Sequence, residues 1–300
     1  MNHDAKPGLA SRIPPVVDRT AIDKRDGSAR EFQFSEADFE RVRKLIYQHA
    51  GISLSPVKKD MVYSRLARRL RALNKASFTE YLDALEKNGG DEWERFVNSL
   101  TTNLTSFFRE PHHFPIFAEH LRKLGSRRPI RVWCSAASTG EEPYSIAMTV
   151  AETFGLEAGH VSIVASDLDT NVLATAEKGV YPIERVEKLP PERLRKFFLR
   201  GTGSQEGFVA VRPELKRMIE FRRINLLDAS YPVKGPLDII FCRNVMIYFD
   251  KPTQYKILSR FAPLMQPDGL MFAGHSESFL HAADLFKSLG KTVYALSAHR

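Results

Sequence analysis

Apolar positions from Phe34 onward fall first at helical spacing and later in short continuous runs, and this change of period divides the chain. Phe39, Val42, Leu45 and Ile46 mark one face of a helix between Ser35 and Gly51. Ser35 suits its N-cap, Phe34 can staple onto Phe39, and Gly51 suits the left-handed stop. Ser55-Pro56 opens a second helix with the stripe Val62, Leu66, Leu70 and Leu73. Ser77-Phe78-Thr79-Glu80 is a capping box for a third, and a fourth carries Trp93, Phe96, Val97, Leu100 and Leu104 on one face. Together they predict a small all-α domain over residues 34–105. Residues 1–33 mix Pro, Asp, Arg, Ser and Gly without periodicity and predict a mobile tail.

From residue 106 the pattern predicts a connecting helix, Pro111 to Leu124, and then alternating strands and helices. The strands are Ile130 to Cys134, Val161 to Ala165, Met218 to Phe221, Leu237 to Cys242 and Leu270 to Ala273. Helices are predicted over Pro143 to Phe154, Asn171 to Lys178 and Pro252 to Met265. Such alternation implies an α/β domain over 106–300 with a parallel sheet covered on both faces. Leu285 to Leu289 and Thr292 to Leu296 would close that sheet as an antiparallel hairpin, the Rossmann-like arrangement typical of class I methyltransferases. Residues 180–216 break the alternation. A short helix at Pro190-Pro191-Glu192 precedes Phe197 to Arg200 and Phe208 to Val211, two strands flanking Gly201 to Gly207, so a small antiparallel β-subdomain is expected there.

With 300 residues, the chain can bury both cores. No apolar run approaches the length of about 20 residues that spans a bilayer, and the start lacks a signal-peptide segment, so a cytoplasmic location is expected. Cys134 and Cys242 have no metal-type spacing; neither a disulfide framework nor zinc is expected. A net charge of +8 points to an acidic partner without naming it. Much of the excess lies between Lys58 and Lys75. Arg65, Arg68, Arg71 and Lys75 share a face beside the second helix's leucines, with Arg69 at the stripe's edge. No aromatic residues interleave with them to stack bases, which argues against RNA.

The turn Ser135-Ala136-Ala137-Ser138-Thr139-Gly140-Glu141-Glu142-Pro143-Tyr144 stands where nucleotide-binding α/β proteins cradle a pyrophosphate, between a first strand and its helix. Glu141 and Glu142 would repel a phosphate. They favour a cationic adenosine derivative such as S-adenosylmethionine, and a lone Gly140 argues against NAD. Asp167, at the end of the second strand, can accept ribose hydroxyls. Asp169 can serve as a helix cap. Ile224-Asn225-Leu226 lies where adenine is expected, and Arg243 and Asn244, past a buried strand, need partners. If the first and fourth strands are neighbours, Cys134 and Cys242 end near the cofactor, which should slow their modification.

Four motifs in order, Thr101-Thr102-Asn103-Leu104-Thr105-Ser106-Phe107-Phe108-Arg109-Glu110, Ser138 to Tyr144, Phe241 to Phe249 and Gly274-His275-Ser276-Glu277, resemble the chemotaxis receptor glutamate methyltransferases, the CheR family. The resemblance runs from residue 34 to 298. It implies that Asn103, Thr105 and Arg109 reach the cofactor from the interdomain segment. Glu142, Asp167, Asn225, Leu226, Cys242, Arg243 and Asn244 would line it from the sheet. It also implies transfer of a methyl group to a glutamate carboxylate, which needs no general base because that group is already ionised. Arg109 and Tyr248 are then the candidates beside the methyl group, and His112, His113 and His275 are left structural. The implied partners are cytoplasmic methylation helices of transmembrane chemoreceptors, docking at Arg65, Arg68, Arg69 and Arg71, and a receptor C-terminal peptide at the β-subdomain. A monomer is expected. Two alternatives stay open: a basic RNA methyltransferase on the same fold, and a non-catalytic cofactor sensor.

Overall fold

A computed structural model describes residues 30–101, 103–126 and 128–297. Four helices come first: α1 (Glu36–Ala50), α2 (Lys59–Ala72), α3 (Phe78–Asn88) and α4 (Glu92–Leu100). Ser35 and Asp38 form a reciprocal capping box on α1, and Gly51 ends it at φ 68°. The predicted stripes meet in one core containing Phe39, Leu66, Phe78 and Phe96. Two predicted members leave it. The backbone turns extended at Thr101, so α4 stops at Leu100 and Leu104 is 79% exposed. Leu73 becomes the C-cap of α2 and is exposed too. The expected tail lies outside the described residues up to residue 29. Its last residues are packed rather than loose, with Phe32 edge-on to Phe78 at 6.3 Å and Arg30 paired with Asp60.

Helix α5 (His113–Leu124) then leads to β1 (Ile130–Cys134), α6 (Glu141–Phe154), β2 (Val161–Asp167) and α7 (Thr170–Lys178). The inserted segment holds β3 (Val180–Pro182), α8 (Pro191–Phe197), β4 (Phe198–Arg200), β5 (Phe208–Val211) and α9 (Pro213–Lys216). The chain finishes with β6 (Ile219–Arg223), β7 (Leu237–Cys242), α10 (Lys251–Phe261), β8 (Met265–Ala273), β9 (Phe286–Gly290) and β10 (Val293–Leu296). Seven strands form the main sheet in the order β6-β2-β1-β7-β8-β10-β9. The first five are parallel, and β10 runs antiparallel to both its neighbours. Alternate residues of each strand feed the cores on opposite faces. Val132, Cys134 and Phe241 enter one, while Trp133, Ile240 and Cys242 enter the other.

The subdomain has three strands rather than the expected two, in the order β3-β5-β4. Gly179, at φ 59°, turns the chain directly from α7 into β3. A three-residue strand ending in Pro182 gives no alternation to read. Among the described residues, no helix is long and apolar enough to cross a membrane.

Candidate active site

Because β1 has β2 on one side and β7 on the other, the chain leaves its carboxyl end at the point where strand order reverses. The Ser135-to-Glu142 turn, Asp167, Ile224 to Leu226 and Arg243 to Phe249 line one cavity there, of about 430 Å³. The interdomain segment contributes Asn103, Thr105 and Arg109. The helical domain adds Ala50, Ile52, Leu54, Ser55, Lys58 and Met61, none of them foreseen from sequence. Buried Ile52 and Leu54, alternating apolar residues beyond the Gly51 stop, were the available signal.

Gly140 starts α6 at φ 99°, and a Cβ there would come within 2.7 Å of the Tyr181 hydroxyl and 2.8 Å of Ala176 Cβ. This turn sends the two acids in different directions. Glu141 is fully buried away from the cavity, with Arg185 and the Thr139 hydroxyl as partners. Glu142 lines the cavity, accepting from Arg243 Nη1 at 2.5 Å and from the Cys134 thiol at 3.4 Å. Burial pushes the Glu142 carboxyl up, and the Arg243 charge opposes that rise.

Asp167 also lines the cavity. Its two oxygens accept Ser138 N–H at 2.8 Å and Asp169 N–H at 3.0 Å, leaving further acceptor capacity on each. Asp169 caps α7 as expected, and it also receives the Asn103 amide at 3.0 Å. Asn225 is braced: it donates to His49 O at 3.1 Å and accepts Leu227 N–H at 3.0 Å, tying the end of α1 to this loop.

Arg243 is the buried hub. Besides Glu142 it reaches Arg109 O through Nη2 at 2.5 Å and lies 3.3 Å from Glu110 Oε2. Its Nε–H, also buried, has no partner among the described residues. Two acids were quoted in the sequence motifs without a role. Glu110 accepts from His275 N at 3.1 Å and Asn244 Nδ2 at 3.3 Å. Burial would raise its carboxyl, but these donors and Arg243 hold it down at about 2. Glu277 accepts the backbone N–H groups of Gly274, Asn244 and Met246 at 2.5, 3.0 and 2.8 Å. It thereby fixes the loop that delivers Asn244, at φ 59°, and Tyr248. Half-buried Tyr248 has its hydroxyl pushed up by burial, while the Arg109 charge pulls it down.

Two expectations fail. Neither Cys242 nor Cys134 is on the cavity wall: alternation along the strands sends their side chains into cores on opposite faces of the sheet. Both thiols are fully buried, so bound cofactor has no accessible thiol to protect. The basic face of α2 also divides. Arg69 forms a bidentate pair with Glu92, and Arg65 donates to Ser99 O and Thr101 O, at the end of α4, where helix carbonyls lack intrahelical donors. Arg68 and Arg71 remain exposed, with Arg71 beside Glu31.

Residues 37–101 match the all-alpha domain of the CheR methyltransferases, and residues 103–295 match their SAM-binding domain. The chain belongs to the CheR family. Among CheR relatives, it is 56% identical over 264 residues to the chemotaxis protein methyltransferase of Escherichia coli (strain K12), covering 88% of this chain and 92% of that protein. It is 54% identical over 267 residues to chemotaxis protein methyltransferase 2 of Pseudomonas aeruginosa, covering 89% and 95%. Identity to the probable chemotaxis protein methyltransferase of Rhizobium etli is 39% over 258 residues, covering 83% and 96%.

The cavity suits the cofactor of a CheR methyltransferase. Its volume lies within the usual range for small-molecule sites, and Asp167 presents acceptor capacity on its wall.

Proposed function

We propose that this CheR protein methylates specific glutamate side chains of chemoreceptors, giving glutamyl methyl esters. The observation that carries the reading is the placement of Arg109 and Tyr248 on the wall of the cavity that also presents Glu142 and Asp167. S-adenosylmethionine, when bound, supplies an electrophilic methyl group on a sulfonium. Glu142, Asp167, Asn103, Thr105, Asn225, Leu226, Arg243 and Asn244 hold it. Arg109 orients the incoming carboxylate, and Tyr248 hydrogen-bonds that carboxylate or packs at the methyl end. The substrate arrives ionised, so these side chains align and desolvate rather than move a proton.

The protein acts as a monomer on the cytoplasmic methylation helices. Exposed Arg68 and Arg71 are the members of the basic helix best placed to meet an acidic helical substrate. Among the described residues, both outer strands of the subdomain have an unpaired edge, and β3 and β4 expose Val180 and Leu199. A receptor C-terminal peptide pairing there would raise the local substrate concentration.

The test is incubation with methyl-labelled cofactor and receptor-containing membranes. Label released by base from receptor glutamates is the expected result. Label that goes to tRNA instead, or no transfer at all, overturns the reading.

A further inference from the structure

Glu110 begins a short sequence, Glu110-Pro111-His112-His113, at the entry to α5, and none of these four residues lines the cavity described above. His113 is fully buried. Its Nε2 lies 2.9 Å from Lys291 O and 3.1 Å from the Thr292 hydroxyl. A carbonyl only accepts, so Nε2 carries the hydrogen and Nδ1 of the neutral ring is a bare lone pair. That Nδ1 has no hydrogen-bond partner among the described residues. It faces Glu110 Oε2 at 3.7 Å, an oxygen that on its other side lies 3.3 Å from Arg243 Nη2. The buried Nδ1 lone pair is thus left without a donor.

A metal cation seated between these groups would give the Nδ1 lone pair a partner. His112, exposed at the start of α5, supplies a third donor, and ligand atoms of Glu110, His112 and His113 all lie within 4.8 Å of one another. Two imidazoles and a carboxylate suit a borderline divalent ion such as zinc or cobalt better than calcium or magnesium, which prefer oxygen. The contact from His113 Nε2–H to Lys291 O is the kind that fixes the tautomer of a ligating histidine.

We propose that Glu110, His112 and His113 form a binding site for one divalent transition-metal ion, behind Arg243 and outside the methyl-donor cavity. Arg243 and the positive end of α5 both repel a cation, so the affinity is below that of a closed structural site with four protein ligands. Arg243 is shared between Glu142 and Glu110, so its charge does not fall on Glu110 alone. Exposed His112 leaves the site open to solvent, so water can complete the coordination shell.

Calorimetry of the full chain, freed of metal by chelator, with zinc chloride should show one equivalent bound, and cobalt(II) should give the visible absorption of a low-coordinate site. His112→Gln changes an exposed residue and should keep the fold, yet weaken binding by more than about tenfold. His113→Gln should do the same if it folds. Zinc binding unchanged in His112→Gln, or the absence of stoichiometric binding to the wild type, overturns the proposal.

Discussion

Arg243 has its guanidinium buried and shared between Glu142, Glu110 and the Arg109 carbonyl. Removing a buried cation leaves its acids uncompensated, which costs more than the pair contributes. Arg243→Met should therefore lower stability by about 3–5 kcal/mol, read from urea midpoints, besides losing cofactor affinity. Arg109 is different: its side chain is only half-buried, and its Nη1 donates to Leu104 O at 2.9 Å. Arg109→Ala should leave the thermal midpoint near the wild type and reduce turnover by about 100-fold through misalignment. Wild-type turnover in a folded variant would remove the orienting role. At this scale the sequence exposed most of the chemistry, since charges placed after buried strands must find partners. It could not separate Glu141 from Glu142, because adjacent residues at a helix start point in directions that depend on how Gly140 turns the chain.

Among the elements, the opening of α6 is the most constrained. Gly140→Ala would strain a left-handed residue and press a methyl group against Ala176 and the Tyr181 hydroxyl. A loss of about 1–3 kcal/mol is expected, with weaker cofactor binding, measured by denaturation and calorimetry. Helix α2 shows how far periodicity reaches. It located the buried stripe of Val62, Leu66 and Leu70, but it grouped Arg65, Arg68, Arg69 and Arg71 as one docking surface. Glu92 and the carbonyl end of α4 capture Arg69 and Arg65, and sequence alone does not show which helix packs alongside. Substituting Arg68→Glu together with Arg71→Glu should weaken receptor methylation and spare cofactor binding. Arg69→Ala should instead destabilise the helical domain, and equal receptor methylation in the double variant would refute the docking surface.

On the scale of the molecule, both domains build one cavity, with Asn225 bonded to His49 and Ile52 facing the same space as Asp167. Ligand binding should therefore stabilise them together. The chain has two tryptophans, Trp93 in the helical domain and Trp133 on β1, so Trp93→Phe and Trp133→Phe variants report each domain separately. The product S-adenosylhomocysteine at 100 times its dissociation constant should add about 2.7 kcal/mol to both transitions. A shift confined to Trp133 would show that the helical domain does not close the site. The order of domains, the parallel sheet and much of the cavity wall at the strand ends were legible in the sequence, because hydrophobic period and strand-end position are local properties. Strand β3, the helical wall of the cavity, the opposite facing of Cys134 and Cys242, and the roles of Glu110 and Glu277 were decided only by tertiary structure. Each depends on which distant segment supplies a partner, and spacing along the chain does not record that.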